Sequence, residues 1–242
     1  MLWSGMSPSG FHSLFEALAW VAALAVGWWT RRHEFAAVPL PMSGRRYPVY
    51  LLLLWLGAVA GAYGLGSLNV MLAGVAGEGR SILGAIVGGV IVAEIYKAVF
   101  GIRGSTGAVL VLPLAVAIAI GRIGCFLAGL PDYTYGTPTN LPWACDFGDG
   151  IPRHPVQLYE SITMALFALG FFLWLRRRPL AAASYGFYVF AGFYGIQRFL
   201  WEFLKPYPEL LGPLNVFHLA AAALVIYAAV MLRVARPVHA VA

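Results

Sequence analysis

Seven stretches of this chain, near residues 11–29, 48–64, 82–100, 106–126, 156–175, 183–204 and 213–232, are apolar along nearly their whole length. A helix needs about 20 such residues to cross the hydrocarbon core of a bilayer, where lipid satisfies no open backbone group. Of the 242 residues, 61% are hydrophobic and 11% charged, against about 25% charged in an ordinary soluble domain. A mean hydropathy of +0.78 excludes a soluble enzyme, a nucleic-acid-binding domain and a disordered chain. The isoelectric point near 9.5 therefore does not point to nucleic acid. The expected fold is an all-α integral membrane protein with seven transmembrane helices, residues 1–242 forming a single polytopic domain. Arg31 follows the first apolar run and no basic residue precedes it, so that run reads as a span and not as a signal peptide.

Orientation comes from the basic residues. Arg31, Arg32, Arg45 and Arg46 separate spans one and two, Lys97 and Arg103 spans three and four, and Arg176, Arg177 and Arg178 spans five and six, with Arg233 and Arg236 after span seven. The opposite connections hold Arg80, Arg153 and Lys205. The positive-inside rule places the N-terminus outside and the C-terminus in the cytoplasm. The net charge of +6 then reflects topology and attraction to anionic membrane lipids, with no nucleic-acid partner expected. Trp3, Trp20, Trp28, Trp29, Trp55, Trp174 and Trp201 lie mostly near span ends, as an interfacial belt does.

The long outer connection, residues 127–155, carries Pro131, Pro138, Pro142, Pro152, Pro155 and Trp143; such length in a helical bundle points to a functional lid. Cys125 and Cys145 are too few for a disulfide framework, though an oxidising outer compartment would permit them to pair. No CxxC or His-rich run gives a recognisable metal-ligand spacing, and no metal or other cofactor is expected.

Charge inside the membrane costs about 2.5–3.5 kcal/mol per group on insertion scales, so each ionisable residue there needs a partner or a task. Arg122 falls late in span four, Glu160 early in span five, and Arg198 and Glu202 late in span six. With the alternating topology all four reach the outer third. Glu16 and His218 are expected at the same level and His154 just above it, whereas Glu94 and Lys97 form a structural pair at the inner end. Arginine matches a phosphate in bidentate geometry, so two arginines with a histidine at head-group depth define a site for a phospholipid head group. Gly121 and Gly124 flank Arg122, and Gly84, Gly88 and Gly89 offer small-residue contacts in span three.

The runs Gly121-Arg122-Ile123-Gly124-x-Phe126, Tyr135-Gly136, Leu141-Pro142-Trp143, Arg153-His154-Pro155-x-Gln157-Leu158-Tyr159-Glu160 and Tyr194-Gly195-x-x-Arg198-Phe199-x-x-Glu202-Phe203 resemble the prolipoprotein diacylglyceryl transferase family of bacterial inner-membrane enzymes. The resemblance covers about residues 80–232 and is most specific in the His-Pro-x-Gln-Leu-Tyr-Glu run. It implies transfer of a diacylglyceryl group from phosphatidylglycerol to the lipobox cysteine thiol of a prolipoprotein, at the outer leaflet of the inner membrane. Arg122 and Arg198 would bind the phosphate, Glu202 would orient Arg198, and His154, then His218, would be the base for the thiol. Gly121, Gly124, Cys125, Asp132, Gly136, Trp143, Gln157, Tyr159 and Glu160 would line the lipid and acceptor pocket.

The chain departs from the family pattern at several places, among them the last span, where Phe217-His218-Leu219 stands in place of a Gln-x-x-Ser pattern. Leu83 stands where the family has a histidine or tyrosine, Cys125 and Ala128 stand for asparagines, and Asp132 follows Gly129-Leu130-Pro131 where a Gly-Glu is expected. Asp132 is a candidate replacement for that carboxylate, and Cys125 is either an inert packing residue or a thiol activated beside Arg122. Two alternatives stay open: a phospholipid-dependent transferase with another acceptor, and a phospholipid-binding membrane protein without catalysis.

Overall fold

Seven long helices account for most of the chain in the computed structural model, which describes residues 7–36, 38, 46–74, 77–235 and 237. They are α1 (Pro8–His33), α2 (Arg46–Leu72), α3 (Ile82–Phe100), α4 (Val111–Ala128), α5 (Val156–Arg177), α6 (Pro179–Glu202) and α7 (Val216–Val234). Each overlaps one of the apolar stretches. Six of them meet the length and hydropathy of a membrane span, whereas α6 does not; its polar content includes Ser184, Gln197, Arg198 and Glu202. The protein is thus a helical, multi-pass membrane protein. Trp3, Arg45 and Arg236 lie outside the described residues.

Local chemistry fixes the helix ends. Ser7 and Ser81 cap α1 and α3 by accepting the backbone N–H of Gly10 and of Gly84, each at 3.1 Å, satisfying donors that the first turn leaves open. Gly101, at φ +64°, closes α3 in the left-handed conformation. A single 3-10 turn, Ala108–Leu110, leads into α4, and another, Leu130–Asp132, follows it. In the outer connection two short strands, β1 (Cys145–Asp146) and β2 (Pro152–Arg153), pair antiparallel with Cys145 opposite Arg153.

Packing is inverted relative to a soluble protein. Val21, Leu24, Met71, Val99 and Leu166 are more than 60% exposed, as side chains facing lipid are. The interior instead holds Val111, Ala115, Met164, Leu175, Phe190 and Ala221, all fully buried. Glycine sets the helix spacing. A Cβ at Gly61 would lie 2.1 Å from the carbonyl oxygen of Gly84, and one at Gly88 would lie 2.1 Å from that of Gly57. Only glycine permits this α2–α3 approach. Gly89 faces open space, so the expected small-residue contact in α3 falls to Gly84 and Gly88. On α4, a Cβ at Gly124 would meet Cβ of Phe15 at 2.5 Å, which brings α1 close against α4.

The two ends of the bundle carry different charge groups. At one end Lys97 Nζ sits 2.8 Å from Glu94 Oε1, and the Tyr227 hydroxyl donates to the same oxygen at 2.7 Å, the structural pairing expected for Glu94 and Lys97. The other end gathers the closing turns of α4 and α6 with the opening turns of α5 and α7.

Candidate active site

Glu160 is the centre of this second end. It lies in the second turn of α5, 1% exposed, and receives three cations. Arg122 Nε from α4 approaches Oε2 at 2.6 Å. Oε1 is shared by Arg198 Nη1 from α6 and by Lys205 Nζ, the latter at 2.8 Å. The other fork nitrogen of Arg198 holds Glu202 Oε1 at 2.6 Å, one turn further along α6. Lys205 Nζ also lies 3.7 Å from Glu202. Arg122 and Arg198 therefore bracket a single carboxylate instead of facing separate cavities.

α7 closes the ring. Asn215 caps that helix by accepting the N–H groups of Phe217 and His218 at 2.9 and 3.1 Å, and its amide donates to Glu202 Oε2 at 3.3 Å. His218 Nδ1 accepts the backbone N–H of Asn215 at 3.1 Å. With that lone pair in use, a neutral imidazole carries its proton on Nε2. His218 presents a donor, and its ring is held against Phe199 and Phe203 at 4.9 and 4.3 Å.

The charge balance is specific. Arg122, Arg198 and Lys205 face Glu160 and Glu202, which leaves one positive charge uncompensated. Burial, reinforced by the Arg198 guanidinium, pushes the Lys205 ammonium down to about 8, so it remains largely charged at neutral pH. Buried ions are tolerated only when paired and hydrogen-bonded. All three cations are paired with a carboxylate here, and the cluster as a whole keeps a formal charge of plus one. Buried polar atoms without a partner surround it: Arg198 Nε, both amide atoms of Gln157, the Tyr194 hydroxyl and His218 Nε2. Gln157 shares a face of α5 with Glu160, as Tyr194 shares a face of α6 with Arg198. A Cβ at Gly121 would meet nothing within 4 Å, leaving room beside Arg122.

The structure thus brings together Arg122, Glu160, Arg198, Glu202, Gln157 and His218. Cys125 joins at the edge, its Sγ 3.8 Å from Arg122 Nη1, and both Cys125 and Cys145 are free thiols. His154 and Tyr159 form a separate group under the outer connection. His154 Nδ1 lies 3.4 Å from the Tyr159 hydroxyl, which accepts Trp143 Nε1 at 2.7 Å. Gly136 permits this loop to lie close, since a Cβ there would sit 2.4 Å from the His154 carbonyl oxygen. Asp132 does not reach the Glu160 cluster; it pairs with His12 at 3.1 Å. Glu16, expected at cluster level, pairs instead at the surface with Arg80 at 3.4 Å, because it lies on a half-exposed face of α1. Leu83 is fully buried in the apolar core.

Sequence reasoning missed three participants. Lys205 counted only as a loop charge, although it follows Glu202 at a one-turn spacing. Asn215 was legible as a cap, three residues before a histidine that completes a capping box. His12 had no signal along the chain, because its partners lie more than a hundred residues away.

A bundle of apolar spans enclosing a net-positive ion cluster at one end defines a membrane protein with a charged site buried in its helical interior. The chain belongs to the prolipoprotein diacylglyceryl transferase family, whose model matches residues 14–234. Curated relatives named phosphatidylglycerol–prolipoprotein diacylglyceryl transferase include one from Geobacter sulfurreducens, 38% identical over 136 residues, covering 54% of this chain and 48% of the relative. Another, from Bordetella parapertussis, is 34% identical over 138 residues, 55% of this chain and 51% of the relative. A third, from Clostridium tetani, is 37% identical over 142 residues, 55% of this chain and 54% of the relative. The matches span about half the length of these relatives.

Proposed function

We propose that the protein is a diacylglyceryl transferase that takes its diacylglyceryl group from phosphatidylglycerol and gives it to the lipobox cysteine of a prolipoprotein. The observation that carries this reading is the single uncompensated positive charge around Glu160, which equals in magnitude the one negative charge of a phosphodiester. In this reading all seven helices cross the bacterial inner membrane, with the N-terminus outside and the cluster beneath the outer leaflet. Residues 127–155 form the lid of the same polytopic domain.

The reaction exchanges one bond for another. The thiolate sulfur of the acceptor cysteine forms a bond to the terminal glycerol carbon of the diacylglyceryl group. The carbon–oxygen bond to phosphate breaks, and its electron pair leaves with glycerol phosphate. The phosphate goes from one negative charge to two as this happens. Arg122 and Arg198, already fixed by Glu160 and Glu202, stabilise that added charge without reorganising, the condition under which electrostatic catalysis is strongest. Arg198 Nε, the Gln157 amide and His218 Nε2–H supply further unspent polar groups. His218 acts as a donor to the leaving phosphate, and His154, held by Tyr159, is the acceptor for the thiol proton. Cys125, Asp132, Gly136, Trp143 and Tyr159 border the acceptor side.

The test is transfer from phosphatidylglycerol to a lipobox peptide by the purified protein. Arg122→Ala and Arg198→Ala should each lower turnover about 10²–10³-fold, the cost of removing one transition-state donor. Turnover unchanged in both variants removes the mechanism. Burial of Leu83 in the core favours one second reading, a transferase of the same donor with a different acceptor, which an acceptor screen by lipid mass spectrometry separates from the first.

A further inference from the structure

Three side chains far apart in sequence meet on the flank of Arg122. His12 stands in the second turn of α1, Cys125 near the end of α4, and Asp132 in the 3-10 turn beyond it. Each offers one ligand atom, and the three atoms lie within 4.8 Å of one another. His12 Nδ1 and Asp132 Oδ1 are 3.1 Å apart. The glycine at 124, where a Cβ would strike Phe15, is what lets α1 bring His12 to Cys125.

An imidazole nitrogen, a thiol sulfur and a carboxylate oxygen are a mixed donor set. Magnesium and calcium call for oxygen alone, whereas zinc accepts all three atom types. Around a tetrahedral zinc the ligand atoms stand about 3.3–3.8 Å apart, for bonds of about 2.0–2.3 Å. The cluster reaches that spacing by closing its widest separation by about 1 Å. A second layer of contacts is also in place. The Thr134 hydroxyl donates to the other oxygen of Asp132, and Arg122 Nη1 lies 3.8 Å from Cys125 Sγ. Such outer contacts orient the ligands and stabilise a bound thiolate. Three protein ligands leave the fourth position of a tetrahedral ion open.

We propose that His12, Cys125 and Asp132 form a zinc site whose open fourth position takes the thiolate of the acceptor cysteine. The second half of this statement rests on the transferase reading; the metal site itself does not. A free thiol titrates near pH ~8.5. Coordination replaces its S–H bond by a sulfur–metal bond and releases the proton to water, so thiolate is present at neutral pH and, with the metal bound, this takes the place of proton transfer to His154. A site of this kind removes the need for a proton-accepting side chain at the position that Leu83 occupies. It also places the sulfur near Cys125, which Arg122 approaches through Nη1 while its Nε holds Glu160.

The experiment uses the full chain in detergent, stripped with a chelator and titrated with Zn²⁺ and separately with Co²⁺. One Co²⁺ per chain is expected, with a thiolate-to-cobalt charge-transfer band. His12→Ala, Cys125→Ser and Asp132→Asn should each weaken Zn²⁺ binding by more than the ~100-fold that loss of an outer contact reaches. Cys145→Ser should bind as the parent does. Unfolding midpoints identify any variant that has lost its fold, and the remaining two then carry the comparison. Sub-stoichiometric binding to the parent chain, or parent-like binding by the folded variants, overturns the site. Adding a lipobox peptide should strengthen the charge-transfer band, and the same peptide with serine for cysteine should not. If Co²⁺ binds but the peptide thiol leaves the band unchanged, the fourth-ligand role is overturned. If the thiol coordinates and no diacylglyceryl group is transferred, the metal site is supported and the transferase reading is what has failed.

Discussion

Replacing Lys205 by methionine separates what the buried cluster does for the fold from what it does for a ligand. Methionine keeps an unbranched, flexible side chain and removes the charge. Glu160 retains Arg122 and Arg198, and Glu202 retains Arg198 and Asn215, so neither carboxylate loses its last partner. The Lys205 side chain is fully buried and its ammonium is held below its ordinary range by burial, so its removal does not cost stability. The cluster, however, goes from one surplus positive charge to none. A charge-assisted hydrogen bond contributes about 1.5–3 kcal/mol, which predicts a rise of about 10–150-fold in KM for phosphatidylglycerol with the unfolding midpoint unchanged or higher. Donor-dependence of transfer and thermal unfolding followed by tryptophan fluorescence measure the two effects side by side. Lys205→Arg should restore donor binding. Parent-like donor affinity in the methionine variant would falsify the charge-balance argument, as would a large loss of stability.

The same lysine sets a pH limb. Donor capture needs the ammonium form, so kcat/KM should fall as pH rises through about 8, and Lys205→Arg should carry that fall to higher pH. Gly124→Leu should wedge α1 from α4, because even a Cβ meets Phe15 at 2.5 Å; a loss of about 1–3 kcal/mol, read from unfolding, is the cost of such overpacking. Tyr159→Phe removes the hydroxyl that accepts Trp143 Nε1 and lies beside His154. Proteolysis within residues 138–151 should then be faster, with a stability change of only about 1 kcal/mol.

The helices were legible because a bilayer makes one demand everywhere, and seven apolar runs answer it with little competing signal. Helix α6 shows the limit. Its sequence carries Gln197, Arg198 and Glu202 on a face that the fold buries, so its hydropathy falls short of a span even though its ends match the expected stretch. The core of the site was legible for a related reason: charge in an apolar run has to be explained, and Arg122, Glu160, Arg198 and Glu202 all lie within such runs. Lys205 and Asn215 escaped because they sit in the α6–α7 connection, where a polar residue excites no suspicion. His12 escaped, and with it the partner of Asp132, because their pairing depends on how closely α1 lies against α4. That spacing is decided by Gly124 and Phe15, a three-dimensional fact with no periodic trace in the chain.

Arg122 has two commitments that a simple cation could not hold together. Its Nε binds Glu160 at 2.6 Å while Nη1 reaches toward Cys125 Sγ at 3.8 Å. In the proposed reaction the planar guanidinium would join the phosphate side of the site, at Glu160, to the side on which Cys125 lies. Displacement at carbon requires the entering sulfur and the departing oxygen on opposite sides of the reacting atom, and in the proposed reaction a rigid fork would hold both directions at once. Arg122→Lys keeps the charge of the cluster, so the field that captures a phosphodiester survives, but a compact ammonium cannot span both partners. The expected result is a split: KM for phosphatidylglycerol within a few-fold of the parent, and kcat reduced nearly as far as in Arg122→Ala, by about 10²-fold or more. Were kcat to survive and KM to rise, Arg122 would serve only as a charge, and the joining of the two sides would have to be assigned to another residue.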